Sequence, residues 1–441
     1  MNKGSESIMI NNRVYGATHV KERFWVSILT VVSLLTVLIN LGNDYCINQS
    51  FLGFLVLLHS VYVLYRYRDN VGLFIAAFFM LFSNYSIVMG VYWDKSIRPE
   101  ALYPQIRDLQ IYAKSITTLL VFEITITIYS IINNKNVVRK EYREKNDKPT
   151  AMEKIVSVVC GMIVVVIFLT QFKRGSETSR ASLTPLFEYK IIFIIIGMIY
   201  GKNNKFLKYM WLALIAVTSG ASFISGNRVD GLVAVIAYGV YYHDDLPTSR
   251  LAAILFCGAF LMIGIGYMRA EVSLDSERWR SVGEKIQREK FTFDTAVWAY
   301  FPAVSSVALA SGTAGVLNKL QMLKDHIIYI FLGGEYGRLR LQFVTRIYYF
   351  HTNGFFSPLY FYIWIRELSG MVFGLLINTY IKIVVKASGK LSNFKYGIFL
   401  YFIAMTPRWY LYDPFSLLRG VMLFSIVLLS VTAMLDLLKK T

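Results

Sequence analysis

The sequence predicts an all-α, polytopic integral membrane protein of about twelve transmembrane helices, with both termini cytoplasmic. Three observations predict it. Of 441 residues, 55% are hydrophobic and 17% charged, and the mean hydropathy is +0.48; a soluble domain of this length carries more charge and shorter apolar runs. Runs approaching the roughly 20 apolar residues that cross a bilayer core recur from one end to the other. The basic residues between them alternate in a way that assigns sides. The chain, 1–441, reads as one transmembrane domain, with no soluble domain to carry a separate activity.

The first run, Phe24–Leu41, follows Lys21 and Arg23 and has no small-residue cleavage site after it, so it reads as a retained anchor. Phe51–Tyr65, Val71–Trp93 and Ile111–Ile132 come next, then Ile155–Phe172, Leu186–Tyr200, Tyr209–Ser225, Gly231–Tyr242 and Leu251–Met268. A bent element within Phe355–Val385 precedes Phe394–Met405 and Phe415–Leu438. Several runs are short, which leaves merging or re-entry open.

Orientation follows from lysine and arginine. The Asn133–Lys154 connection holds the densest basic run, and with Arg66–Arg68, Gly201–Lys208, His243–Arg250 and Lys386–Lys395 it is placed in the cytoplasm. The segments left outside are rich in arginine: Arg98, Arg107, Arg174, Arg180, Arg228, Arg269, Arg278, Arg280, Arg338, Arg340, Arg346 and Arg408. Topology does not call for them there. Arginine recognises phosphate with a bidentate fork that lysine lacks, so an anionic partner is expected at the outer face. The net charge of +18 is accounted for by topology and this face, and no nucleic acid is implied.

The tip Ser225-Gly226-Asn227-Arg228 joins two apolar runs and is followed by Asp230. Flexible backbone, free N–H groups and a guanidinium suit a phosphate oxyanion. A plain interfacial arginine snorkelling to water is the other reading. The segment 269–354 is the largest outside the membrane. It opens with charged residues from Glu271 to Glu289, and two moderately apolar stretches, Val297–Leu309 and Ile327–Leu332, are expected as interfacial or re-entrant helices. It closes on Tyr348-Tyr349-Phe350-His351-Thr352-Asn353-Gly354-Phe355-Phe356. These aromatics either anchor the interface or stack on sugar rings.

Chemistry is constrained by absences. There is no Gly-Lys-Ser/Thr phosphate loop, no Asp-x-Asp pair, no His-Glu-x-x-His and no Cys-x-x-Cys, which disfavours an ATP-driven pump, a carboxylate-metal sugar transferase and a zinc hydrolase. Three scattered cysteines form no disulfide framework. No metal and no cofactor are expected. His243-Asp244-Asp245 reads as a solvated loop. The acid/base candidates on the outer side are Asp230, His351, Asp413 and the carboxylates after Arg269. His351 is either a base that titrates near neutrality or an interfacial histidine with one hydrogen bond. Asp413, before Pro414, is also a natural helix cap, and Asp230 is also a natural partner for Arg228.

The Ser225–Arg228 tip, the late arginine-bearing segment with its aromatic–His–Asn–Gly–aromatic end, and the expected span count together resemble the Wzy-type polymerases of O-antigen and capsule repeat units. The resemblance covers roughly the second half of the chain. It implies a glycosyltransferase of the bacterial cytoplasmic (inner) membrane that polymerises undecaprenyl-diphosphate-linked oligosaccharides at the outer face without a metal. A chain-length regulator and a flippase of the same pathway are the partners it implies. Arg228 is carried over as a diphosphate contact, joined by Arg278, Arg280, Arg338 and Arg340. His351 or an outer carboxylate such as Asp230 would take the proton of the acceptor hydroxyl. O-antigen ligase and a lipid-linked oligosaccharide flippase stand as alternatives. Against the carrier, Glu123 is the clearest of few ionisable residues deep in a run.

Overall fold

A computed structural model describes residues 3–94, 109–132, 149–171, 185–224, 228–243, 246–269, 291–311, 316–332, 354–385 and 392–438. Every regular element among them is helical. In chain order these are α1 (Lys3–Gly42), α2 (Gln49–Arg66), α3 (Val71–Ile87, running on as a π-helical turn to Trp93), α4 (Leu109–Ile132), α5 (Ala151–Gln171), α6 (Pro185–Tyr200), α7 (Lys205–Ile224) and α8 (Arg228–Tyr242). Then come α9 (Thr248–Arg269), α10 (Asp294–Ser311), α11 (Val316–Leu332), α12 (Leu368–Val385), α13 (Ser392–Ala404), α14 (Thr406–Leu411) and α15 (Pro414–Leu438). Single helical turns at Ser357–Leu359 and Tyr362–Ile365 lead into α12, so the element expected as bent is broken twice.

Local sequence sets the helix starts. Asn48 and Asn70 cap α2 and α3, their side-chain oxygens accepting from the N–H groups of Ser50 at 2.8 Å and Leu73 at 3.0 Å. Thr150 and Glu153 form a reciprocal capping box at α5. Asp413 caps α15, accepting from the Phe415 N–H at 2.9 Å, which is the cap reading the sequence offered for it.

Six helices are long and apolar enough to cross a membrane among the described residues: Arg23–Gly42, Val71–Trp93, Leu109–Ile132, Ala151–Thr170, Lys205–Phe223 and Pro414–Leu437. The chain is a multi-pass membrane protein, consistent with an inner-membrane location. The expectation of about twelve spans is corrected to these six. The physical reason is length. Among the described side chains, the apolar stretches Tyr189–Tyr200, Thr248–Gly264, Leu368–Ile383 and Phe394–Ala404, which lie within α6, α9, α12 and α13, are 10–17 residues long, under the roughly 20 residues of a full crossing. Counting apolar runs treated these as full crossings. The Wzy-type resemblance falls with the count, because that family's architecture has about twelve spans.

Two of the long helices form the centre: 78% of an 18-residue apolar window in Val71–Trp93 and 67% of one in Leu109–Ile132 are buried, against 22% in Pro414–Leu437. The peripheral helices present bare apolar side chains such as Trp25, Leu169, Val217 and Leu437, a surface that only lipid satisfies. Glycine allows the closest approach to the centre. A Cβ on Gly370, in α12, would stand 2.1 Å from the Thr118 carbonyl oxygen of α4, so the two backbones meet as small-residue contacts permit in membranes.

Hydrogen bonds between turns define two ends of the bundle. At one, Gln49 at the start of α2 binds the carbonyl of Leu109 at the start of α4, and Tyr45 donates to Glu367 just before α12. Burial and the neighbouring Glu367 carboxylate push the Tyr45 phenol up from its ordinary value. At the other, Thr248 at the start of α9 binds the carbonyl of Arg68 in the α2–α3 turn; Arg66, Lys202, Lys205, Lys208 and Arg250 lie in the turns and helix ends of this second end. Basic residues stay with the cytoplasm. The exposed Cys46, in the α1–α2 turn of the first end, is therefore expected to react with an impermeant thiol reagent added outside intact cells when Cys257 is replaced by serine. Labelling only after lysis would put that end inside.

Candidate functional site

Four helix ends and one short helix meet at the first end. The α7–α8 hairpin is pinned by Gly231, where a Cβ would come within 2.7 Å of the Phe223 ring, so only glycine lets the helices close this tightly. The hairpin brings Arg228 and Asp230 to the opening turn of α8, both buried. Arg228 is held on two sides. Its Nη1 donates to the Met262 carbonyl of α9 at 2.9 Å, and its Nη2 lies 3.0 and 3.2 Å from the two carboxylate oxygens of Asp294, the first residue of α10. The Phe293 ring faces the guanidinium at 5.6 Å.

Asp230 pairs with Arg408 of α14, not with Arg228. The sequence offered a local pair two residues apart, which on one helix puts side chains on different faces; each takes a partner from a distant segment instead. Only Oδ1 of Asp230 is engaged, and Oδ2 is buried without a hydrogen-bond partner among the described residues. A buried oxygen without a partner is expensive. Beside it lies a small cavity of about 10 Å³ lined by Lys190, Ile191, Ile194, Asp230, Val233, Ala234, Met405 and Arg408, room for about one water molecule. Lys190, 4% exposed, comes from α6 and lies within electrostatic reach of Asp230 and Arg408. The Arg408 guanidinium also sits 5.3 Å over the Tyr412 ring. One residue before Lys190, Tyr189 stacks under Arg419 of α15, which Tyr329 also faces.

The cluster thus sets three buried or half-buried cations, Lys190, Arg228 and Arg408, against two carboxylates, Asp230 and Asp294. Among the described residues the cations outnumber the carboxylates. The guanidiniums are oriented by carboxylates that an incoming anion could replace, and Asp230 lines a cavity. Such an arrangement suits an anion with several oxygens and a neighbouring hydroxyl.

Of the expected site residues, the structure joins Arg228 and Asp230 within one cluster. His351, Arg278, Arg280, Arg338 and Arg340 lie outside the described residues, as do Ser225, Gly226 and Asn227. Phe355 and Phe356, which close the aromatic stretch, are buried: their N–H groups bind the carbonyls of Leu411 at 2.8 Å and Ala299 at 2.9 Å. They pack inside the bundle beside α10 and α14, where no sugar would reach them. The sequence reading passed over Lys190 and Asp294 and counted Arg408 only among the outer arginines. The signal for Lys190 was present, a lone cation at the head of the run Ile191–Ile196, since a charge inside an apolar run is functional by default. No group of three or more His, Cys, Asp or Glu placed to hold a metal ion is found among the described residues.

Comparisons place the chain beside no characterised protein: no family model, no curated protein and no solved structure matches it.

Proposed function

We propose that the protein transfers a glycan from a polyprenyl diphosphate to a hydroxyl of a second lipid-linked oligosaccharide, lengthening the chain at the outer face of the cytoplasmic membrane. The observation that carries this reading is the Asp230–Arg408 pair with its free carboxylate oxygen at a cavity shared with Lys190. In this reading the diphosphate enters between Arg408, Lys190 and Arg228 and takes over hydrogen bonds now held by carboxylates. Arg408 turns to phosphate, and Asp230 is released beside the acceptor. The acceptor oxygen attacks the anomeric carbon, the bond to the diphosphate breaks with its electron pair leaving on phosphate, and the hydroxyl proton passes to Asp230. The cations stabilise the charge that develops on the leaving group. Lipid bilayer is needed on one side for the polyprenyl tail, and the exposed apolar helices supply that boundary.

The reaction is tested in inverted and right-side-out vesicles supplied with a lipid-diphosphate-linked oligosaccharide. Lengthened product is expected only with substrate on the side of the Cys46 turn. Lys190→Met, which keeps the length and removes the charge, is expected to weaken substrate binding about tenfold or more at unchanged protein level. Translocation of the substrate without lengthening would replace this reading by a carrier. The carrier reading is favoured by one observation, a polar network deep between α1, α2, α3 and α4.

A further inference from the structure

That network is built around a carboxyl group the proposed reaction does not use. Glu123, midway along α4, is 1% exposed, and no ion pair to it is found among the described residues. Its Oε1 accepts a hydrogen bond from Nδ2 of Asn84 on α3 at 2.7 Å. The same nitrogen donates to Ser60 of α2 at 3.0 Å, and the Asn84 carbonyl oxygen accepts from the Tyr410 hydroxyl at 2.8 Å. One turn further along α4, Thr127 Oγ1 lies 2.9 Å from Nδ1 of His59, whose Nε2 is 3.0 Å from Ser33 Oγ of α1. His59 and Ser60 are neighbours on α2, and all seven side chains are buried. The sequence shows Glu123 as an isolated charge. The fold gives it an imidazole for company.

We infer that Glu123 and His59 form a proton-binding pair in the membrane interior, linked through Asn84 and Tyr410 to the segment that carries Arg408. A carboxylate without a counter-ion is disfavoured in such surroundings, so the arrangement is that of a carboxylic acid beside a neutral imidazole. Purely structural needs would be met by glutamine, which offers Asn84 the same acceptor oxygen. Titratable carboxyl and imidazole groups inside membranes mark proton relays. Ser60 and Tyr410, bonded to Asn84, and Thr127 and Ser33, bonded to His59, are hydroxyls that both donate and accept, as passing a proton requires; Ser60 adjoins His59 on α2, and Thr127 stands one turn from Glu123 on α4. Proton loss from Glu123 leaves a carboxylate, and its uptake by His59 leaves an imidazolium, so the pair stays neutral as a whole; release to water completes the step. The other groups facing the pair are few among the described residues. Tyr410 comes from α14 and Asn84 from α3, α1 brings Ser33, and α12 brings Asn378, Tyr380, whose hydroxyl donates to the Ile398 carbonyl, and the exposed Lys382 in its last turn. Tyr410 stands two residues after Arg408, so ionising Glu123 pulls on the helix that holds the Asp230 pair. The inference holds whether the protein transfers glycans or carries them.

Full-length protein in lipid nanodiscs tests it by infrared titration of protonated carboxyl groups between about pH 5 and about pH 9. The wild type is expected to show a carboxyl band that is lost as pH rises and is missing from Glu123→Gln. Inorganic pyrophosphate, a probe for the Arg408 cluster, is expected to change the proton affinity of that band about fivefold or more, and the change to vanish in Asn84→Leu. His59→Asn should move the titration of the same band. If Glu123→Gln does not fold, Asn84→Leu and His59→Asn still decide. A wild-type protein in which no carboxyl titrates in this range overturns the inference, as does a band that persists in Glu123→Gln or one unmoved by all of pyrophosphate, Asn84→Leu and His59→Asn. Loss of glycan transfer alone leaves each of these readouts in place, so the two ideas fail separately.

Discussion

Asp230→Asn is expected to leave the bundle folded and to lower glycan transfer by about two to four decades, the range for removing a general base. The substitution is nearly isosteric. Its side-chain oxygen still accepts from Arg408, so the α8–α14 contact survives, but the atom left unengaged becomes an amide nitrogen that cannot take a proton. Buried Oδ2 has no hydrogen-bond partner among the described residues, so the exchange strands no donor of the protein there. Folded yield is read by size-exclusion in detergent, and transfer by the length of lipid-linked product. Substrate binding should change far less than turnover, since the three cations remain. Transfer within tenfold of wild type would remove Asp230 from the chemistry and return attention to His351.

Arg228 is expected to divide structure from function. Arg228→Ala removes a guanidinium that serves the Met262 carbonyl and the Asp294 carboxylate at once. The carbonyl loses a buried donor, at roughly 1–3 kcal/mol. Asp294 is about a third exposed, so water offsets part of its loss. Reduced folded yield and reduced transfer are both expected. Arg228→Lys keeps the charge but brings three donors on one nitrogen where two directions must be served. It should restore yield better than transfer, leaving transfer about tenfold or more below wild type. The double variant Arg228→Ala/Asp294→Ala, with no charge left unpaired, should recover stability through a double-mutant cycle without recovering transfer. If lysine restores full product length, the guanidinium fork is not what substrate meets. If the double variant also restores it, Arg228 is structural only.

How far the site could be read in advance depended on chain separation. Arg228 and Asp230 were legible because both sit in one tip between apolar runs, where a charge stands out. Asp413 was legible as a cap because Asp before Pro is a local signal. Lys190 and Asp294 were not chosen, and Arg408 was one arginine among twelve. The roles of Asp294 and Arg408 come from pairings across 66 and 178 positions of chain, which no spacing rule reports. The same blindness affected Glu123. Its significance as an isolated carboxyl depends on what α2 and α3 set against it, and His59 is an ordinary histidine in an apolar run until the helices pack.

Composition and run length alone determined that this chain is helical and lives in a membrane, because hydrocarbon leaves backbone polar groups no partner but their own helix. Sequence also marked the basic and arginine-rich connections, since charge is a property of the residue and needs no fold to be counted. Span number was decided only in three dimensions, where apolar stretches of 10–17 described residues stand among longer ones, sheltered by protein as well as by lipid. Pairing was decided there too. Each buried charge takes whichever opposite charge the packed helices bring within reach, and that depends on which helix ends meet.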